Sequence, residues 1–209
     1  MKTKLNLLVI LILVLATLAQ PSSARAGGGL GLSFRGPSAM ASFYNVSGCT
    51  VTEAFVIASQ YKQRDAHGPA TSFSFASVTV SQSDLCADTL VLYAYGTTAP
   101  LAPGELQISE KLDTARLTTV VPVFDEISGT SFDLSVDITW TAIGPLSRQQ
   151  TTTHFHTPGC ISNSHFQSRS RSVEASGTIS DGLTNFTSEP SISASLDAVK
   201  SGTVVIGCS

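Results

Sequence analysis

One short stretch constrains the fold more than any other. Phe132, Leu134, Val136, Ile138 and Trp140 alternate with Asp133, Ser135, Asp137, Thr139 and Thr141. Successive side chains of an extended chain point to opposite sides, so this period of two puts every large apolar group on one face and every polar group on the other. That predicts a half-buried strand of an antiparallel sheet with one wet side, and it places Trp140 in the core. Ile192, Ala194, Leu196 and Ala198 repeat the pattern against Ser191, Ser193, Ser195 and Asp197. Further strands are expected over 51–58, 73–80, 89–95, 106–110, 115–124, 151–156 and 165–173. No window carries a capped helical period; residues 60–67 are the one place where a helical turn could sit.

The punctuation agrees with strands. Ser128-Gly129, Asp181-Gly182 and Ser201-Gly202 each separate two apolar runs, and glycine supplies the positive φ that tight hairpins require. Pro122 cannot donate to a ladder, which places it at an edge or a bulge. Many short strands with frequent turns predict an all-β chain. The expected form is a two-sheet antiparallel β-sandwich of about ten to twelve short strands, with a β-barrel as the alternative. Strands are expected to begin near Ala41, so residues 41–209 form a single domain and residues 27–40, opened by Gly27-Gly28-Gly29, a flexible lead-in.

The start of the chain reads as a secretory signal over residues 1–26. Lys2 and Lys4 precede an apolar run from Leu7 to Ala16, and Ala24-Arg25-Ala26 has the small-x-small form of a cleavage site. Cleavage there would leave 183 of the 209 residues, enough for one ordinary core, and no later segment is apolar enough to cross a bilayer. Of the 12 Lys and Arg residues, Lys2, Lys4 and Arg25 would be lost; nine then face 15 Asp and Glu, for a net charge of −6. That balance argues against nucleic acid and anionic membranes as partners. All four cysteines, Cys49, Cys86, Cys160 and Cys208, lie beyond the cleavage site. An even count in an exported chain predicts two disulfides, and Cys49–Cys86 with Cys160–Cys208 close the shorter loops. The expected location is secreted or periplasmic.

Candidate chemistry is sparse. His154 and His156 share one face of a predicted strand, and Pro158-Gly159 turns the chain so that His165 lies on the returning strand. Pairing His154 with His165 would bring three imidazoles to one face, where zinc or copper could bind; a slip of one residue would send His165 to the other side. On the returning strand Arg169 and Arg171 fall on the face of His165 and Gln167, and could receive a carboxylate, sulfate or sugar acid. Asp133 and Asp137 are more simply solubilising charges than a glycosidase pair. Asn45-Val46-Ser47 and Asn185-Phe186-Thr187 have the form of N-glycosylation acceptors. There is no G-x-S-x-G elbow, no H-E-x-x-H pair and no phosphate-cradling loop.

Residues 137–148 (DITWTAIGPLSR), followed by HFHTPGC and VEASGTISDG, resemble exported bacterial β-rich proteins without an assigned activity. The resemblance implies a periplasmic or extracellular destination and brings no ligand, cofactor or site residue with it. The expectation is therefore a non-enzymatic binding or surface-interaction module without a cofactor, its partner an extracellular protein or glycan. Two alternatives stand beside it. One is a metal-binding protein or metal-dependent enzyme using His154, His156 and His165. The other is a carbohydrate-binding module, which requires an exposed aromatic row among Tyr44, Tyr61, Tyr93 and Tyr95.

Overall fold

The computed structural model describes residues 30–65, 68–157, 159–187 and 190–208. The expected signal peptide and Gly27-Gly28-Gly29 lie outside the described residues. Among the described residues there are nine strands and no helix: β1 (Leu30–Ser47), β2 (Thr50–Asp65), β3 (Ala70–Asp84), β4 (Thr89–Thr98), β5 (Leu106–Ile108), β6 (Thr114–Asp125), β7 (Thr130–Thr157), β8 (Cys160–Ser180) and β9 (Ser193–Cys208). They are fewer and longer than expected. The 28-residue β7 absorbs two predicted strands, and β9 runs straight through Ser201-Gly202, which is no hairpin tip. Residues 30–40, expected as a loose lead-in, are the first half of β1, and residues 60–65 are strand rather than helical turn.

All nine strands belong to one antiparallel sheet in the order β4-β3-β2-β1-β9-β8-β7-β6-β5, and β4 also pairs with β6. Eight strands thus close a ring, with β5 added where β6 has no β4 beside it. This corrects the expected pair of separate sheets: the β1–β9 and β4–β6 ladders leave no break at which two sheets could part.

The β4–β6 seam is the narrowest part of the ring, with only Ala94↔Asp125, Tyr95↔Phe124 and Gly96↔Val123 in register. Two local devices hold it. Gly96 lets the backbones close: a Cβ there would lie 1.9 Å from the Pro122 carbonyl oxygen. Pro122, which lacks an N–H, stands just past the last seam pair. At the other end the Asp125 carboxylate, 4% exposed, accepts the amides of Tyr93, Ile127 and Ser128 and the Ser128 hydroxyl. One side chain therefore ties β4 to the tip of the β6–β7 hairpin.

Alternation fills the ring. The inward positions of β6 and β7, including Leu117, Val121, Leu134 and Ile138, are fully buried. Ala39, Ala41, Val56, Ala58, Val78 and Ala94 supply the facing side, where small side chains leave room for Trp140. The Trp140 indole N–H donates to the Met40 carbonyl 2.9 Å away, reaching from β7 to β1 across two intervening strands. At one end, Cys49–Cys86 joins the β1–β2 turn to the β3–β4 turn. Closing a 37-residue separation is worth roughly 2–4 kcal/mol. At the other end Cys160 stands opposite Cys208 in the β8–β9 register, the pairing expected for the second bridge, although the Cys208 side chain lies outside the described residues.

Not all of the sheet belongs to the ring. β6 leaves β7 at Thr141, and β4 leaves β3 at Ala76. Beyond these points β3, β2, β1, β9, β8 and β7 continue as a six-stranded extension. On its outer side Phe34 and Phe166 pack 5.4 Å apart over Gly202, where a Cβ would meet the Phe34 ring at 2.9 Å. That contact explains a glycine inside a strand.

Burial alone would raise the Asp125 pKa, but the Ser128 hydroxyl and the three amides outweigh it and hold the carboxyl below its ordinary value. Its contribution is present above an aspartate's usual pKa of about 4 and is lost as pH falls through the lowered folded value. Asp125→Ala should cost roughly 1–3 kcal/mol at neutral pH and flatten the acid limb of the stability curve. Chemical denaturation at pH 7 and below pH 3 checks this; an unchanged pH profile in the variant would remove Asp125 from the seam.

Candidate functional site

The three predicted ligand histidines do share a face, but in a register displaced by two residues. His154 pairs with Asn163, His156 with Ile161, and His165 with Thr152. A shift of two preserves the face while spreading the rings along the hairpin. His154 Nδ1 lies 2.7 Å from Asn163 Oδ1, and His165 Nδ1 lies 3.1 Å from the Thr152 hydroxyl. The His154 and His165 rings are thus engaged by neighbours across the ladder. Among the described residues, the group whose ligand atoms converge within 4.8 Å is Cys49, Asp84 and Cys86. Its two sulfurs are already bonded to each other, and the Asp84 carboxylate accepts the Cys86 and Ala87 amides.

Arg169 and Arg171 lie on the same face as His165, as expected. Each stands opposite an apolar partner on β9, Ala198 and Leu196 respectively. Their stems lie on small or apolar groups, and both Nε atoms are buried without a hydrogen-bond acceptor. Such unmet donors are costly unless something supplies an acceptor. Asp113, in the β5–β6 turn, is held below its ordinary pKa first by the Ser109 hydroxyl and to a smaller extent by Arg171 and Lys111. It makes no ion pair with Arg171; among the described residues the ion pair is Arg116–Asp137, at 3.1 Å on the outer ring surface.

Three of the four tyrosines named for a sugar platform, Tyr44, Tyr93 and Tyr95, form an exposed aromatic wall, and Phe124 is the ring that the sequence reading did not include. Tyr44, Glu53, Ser81 and Tyr93 stand in one row across β1 to β4, and Ser42, Phe55, Thr79 and Tyr95 in the next. Phe124 on β6 extends the second row across the seam. Tyr44 is 42% exposed, Tyr93 37%, Tyr95 44% and Phe124 43%. The Tyr93 and Tyr95 ring centroids are 6.0 Å apart, and the Tyr95 hydroxyl donates to Glu126. Tyr61, in contrast, is buried against Phe73. Burial drives its phenol above the ordinary value, because the charged form would lose its solvent. A shallow cleft of about 310 Å³ crosses the wall. Ser42, Thr79 and Ser81 line it with short hydroxyls, Tyr44 and Tyr93 rise at its sides, and Glu53 adds a carboxylate. A second, wider groove of about 590 Å³ lies between the 98–105 connection and β6–β7. Its two carboxylates are already occupied: Glu105 by Thr119 and the Ala102 amide, Asp137 by Arg116 and Thr118.

No family model matches the chain, and no curated protein does. Among solved structures, a candidate AttH protein of Nitrosomonas europaea is similar over 91% of this chain at 12% identity. Its TM-score is 0.32, too low to carry fold or function. The chain spans 57% of that protein. The site therefore has to be read from its own chemistry. No helix among the described residues is long and apolar enough to cross a membrane.

Tyrosine accessibility tests the wall directly. Tetranitromethane should modify Tyr44, Tyr93 and Tyr95 in the folded protein and spare Tyr61. Equal nitration of Tyr61, read by peptide mass spectrometry, would show that the wall is not laid out as described.

Proposed function

We propose that the protein is an exported, non-enzymatic binding module whose tyrosine wall engages a carbohydrate. The observation that carries this reading is the exposure of Tyr44, Tyr93 and Tyr95 on one outer face while Tyr61 is withdrawn from solvent. Flat rings with polar rims pack against the apolar faces of sugars, and neighbouring hydroxyls and carboxylates take the sugar hydroxyls. Here Ser42, Thr79, Ser81 and Glu53 stand among the rings at strand spacing. Tyr44 and Tyr93 are three strands apart, roughly 14 Å, a span suited to several consecutive sugar units rather than to one. Export would agree with the Cys49–Cys86 bridge, which persists in an oxidising compartment.

The carboxylates support binding over hydrolysis. Asp125 is tied to the seam amides, Asp137 to Arg116 and Glu105 to Thr119, while the cleft between the tyrosines is lined by a single carboxylate, Glu53, where glycoside hydrolysis calls for a pair. A general acid must be free to release its proton to a leaving group.

Titration against soluble neutral polysaccharides (mixed-linkage glucan, xylan, galactomannan) tests the reading. The wild-type protein should bind at least one of them, and Tyr93→Ala should weaken that binding about tenfold, the loss of one stacking ring. Absence of binding to all three by a folded protein, or full affinity in Tyr93→Ala, overturns it.

A further inference from the structure

The inner side of the six-stranded extension carries a concentration of positive charge that net composition hides. Residues in cross-strand register share a face, so the side that buries Leu196 and Ala198 in the ring can be followed outward strand by strand. On β8 and β7 it bears Arg171, Arg169 and Arg148. On β1 and β2 it bears Arg35, Lys62 and Arg64. Beyond the expected cleavage site the chain has nine basic residues, and six of them stand here. None of the described strand residues on this face of the extension is a carboxylate; the acid whose charge reaches it is Asp113, in the β5–β6 turn, at Arg171.

The arrangement is as telling as the count. Arg148 is directly opposite Arg169, and Arg35 is directly opposite Lys62. Like charges facing each other across a ladder destabilise a sheet. Edge protection accounts for Arg148, since β7 has no outer neighbour among the described residues beyond Thr141. It does not account for Arg169 and Arg171, whose strand is paired on both sides. Between the two cationic groups runs β9, whose paired residues on this face are Ala198, Ser201 and Thr203, with Lys200 as the extra residue of the bulge among them. The result is a furrow flanked by three cations on each side. From β7 to β2 it is about 19 Å wide, four strand spacings. The buried, unaccepted Nε atoms of Arg169 and Arg171 lie along one of its banks.

We infer that this furrow binds a linear acidic polysaccharide, its carboxylate or sulfate groups bridged by the two banks. Arginine forks match such oxyanions in bidentate geometry. Gln150, Gln167, Thr152, Thr203 and Ser33 on the same face offer partners to sugar hydroxyls. Among the described residues the inner face of the extension carries no Phe, Tyr or Trp ring, only the imidazoles of His154, His156 and His165; Phe34, Phe155 and Phe166 all belong to the opposite face. That disfavours single-stranded nucleic acid, which relies on such platforms. The furrow shares no residue with the tyrosine wall, so it stands or falls separately.

Full-length secreted protein is titrated with heparin for sulfate, polygalacturonate for carboxylate, dextran as the neutral control and a DNA oligonucleotide as the competing polyanion. Wild type should bind heparin, polygalacturonate or both, more tightly than DNA, and should ignore dextran at the furrow. Arg169→Ser/Arg171→Ser and Arg35→Ser/Lys62→Ser should each weaken binding about tenfold or more. Arg116→Ser, which breaks an ion pair on the outer ring surface, should not. Arg148→Ser should weaken binding while raising Tm, because it relieves a like-charge contact. Tighter binding to DNA, wild-type affinity in either double variant, or a Tm that falls in Arg148→Ser, overturns the assignment. The furrow can fail while Tyr93→Ala still weakens neutral-glycan binding, and the reverse.

Discussion

Three residue pairs hold the ring shut. Every other ladder between neighbouring full-length strands is long, but β4 meets β6 only at Ala94↔Asp125, Tyr95↔Phe124 and Gly96↔Val123. Without that seam the sheet would be open, with two long unpaired edges and an apolar face wider than its core could cover. The seam forms because Gly96 lets one backbone lie against another and because Asp125 gathers four donors around one buried carboxylate. Closure then decides what the two faces can do. The inside is filled by Leu, Val and Trp140, while the outer wall and the extension beyond the ring carry the exposed tyrosines and the arginines.

The contrast between those two surfaces follows from the same alternation. Within the ring, the inner parity is apolar and the outer parity carries Tyr44, Tyr93 and Tyr95. Past Ala142 and Ala198 the polarity exchanges sides: arginine, lysine and histidine occupy the inner parity, and Phe34, Phe166 and Val204 the outer. The strands run on unbroken, but their register shifts at the boundary, between Ala142 and Leu146 on β7, at Lys200 on β9 and between Phe34 and Gly36 on β1. On β9 the extra residue is what exchanges the two parities, which gives one continuous sheet two chemically unlike faces.

The part of this that could be read from the chain is the part that depends on near neighbours. The Phe132–Thr141 alternation correctly announced an antiparallel sheet with Trp140 inside, and Ser128-Gly129 and Asp181-Gly182 do mark turns. Cys49–Cys86 was preferred on loop length and is formed. Ser201-Gly202 misled because its glycine answers to Phe34 and Phe166, two rings brought together only by the folded sheet. The shared face of His154, His156 and His165 survived a register error because an even shift preserves parity, although their spacing did not. Closure stands in the sequence only as the barrel alternative, since choosing it depends on strands far apart in sequence meeting at one short seam. The furrow was out of reach for the same reason: Arg35, Lys62 and Arg64 join Arg169 and Arg171 only through the β1–β9 and β8–β9 ladders.

The extension has a mechanical meaning as well. Each of its six strands is anchored at one end in a packed core and projects from it at the other, as a cantilever does from a wall. Its outer margin on β7 has backbone groups with no strand beside them beyond Ala142 among the described residues, the Ala142 N–H still reaching the Asp113 carbonyl. Rigidity therefore declines along every strand from ring to tip, and the cationic furrow crosses the gradient. A ligand laid across β7 to β2 would act as a tie beam, stiffening the most compliant part of the molecule while leaving the ring untouched.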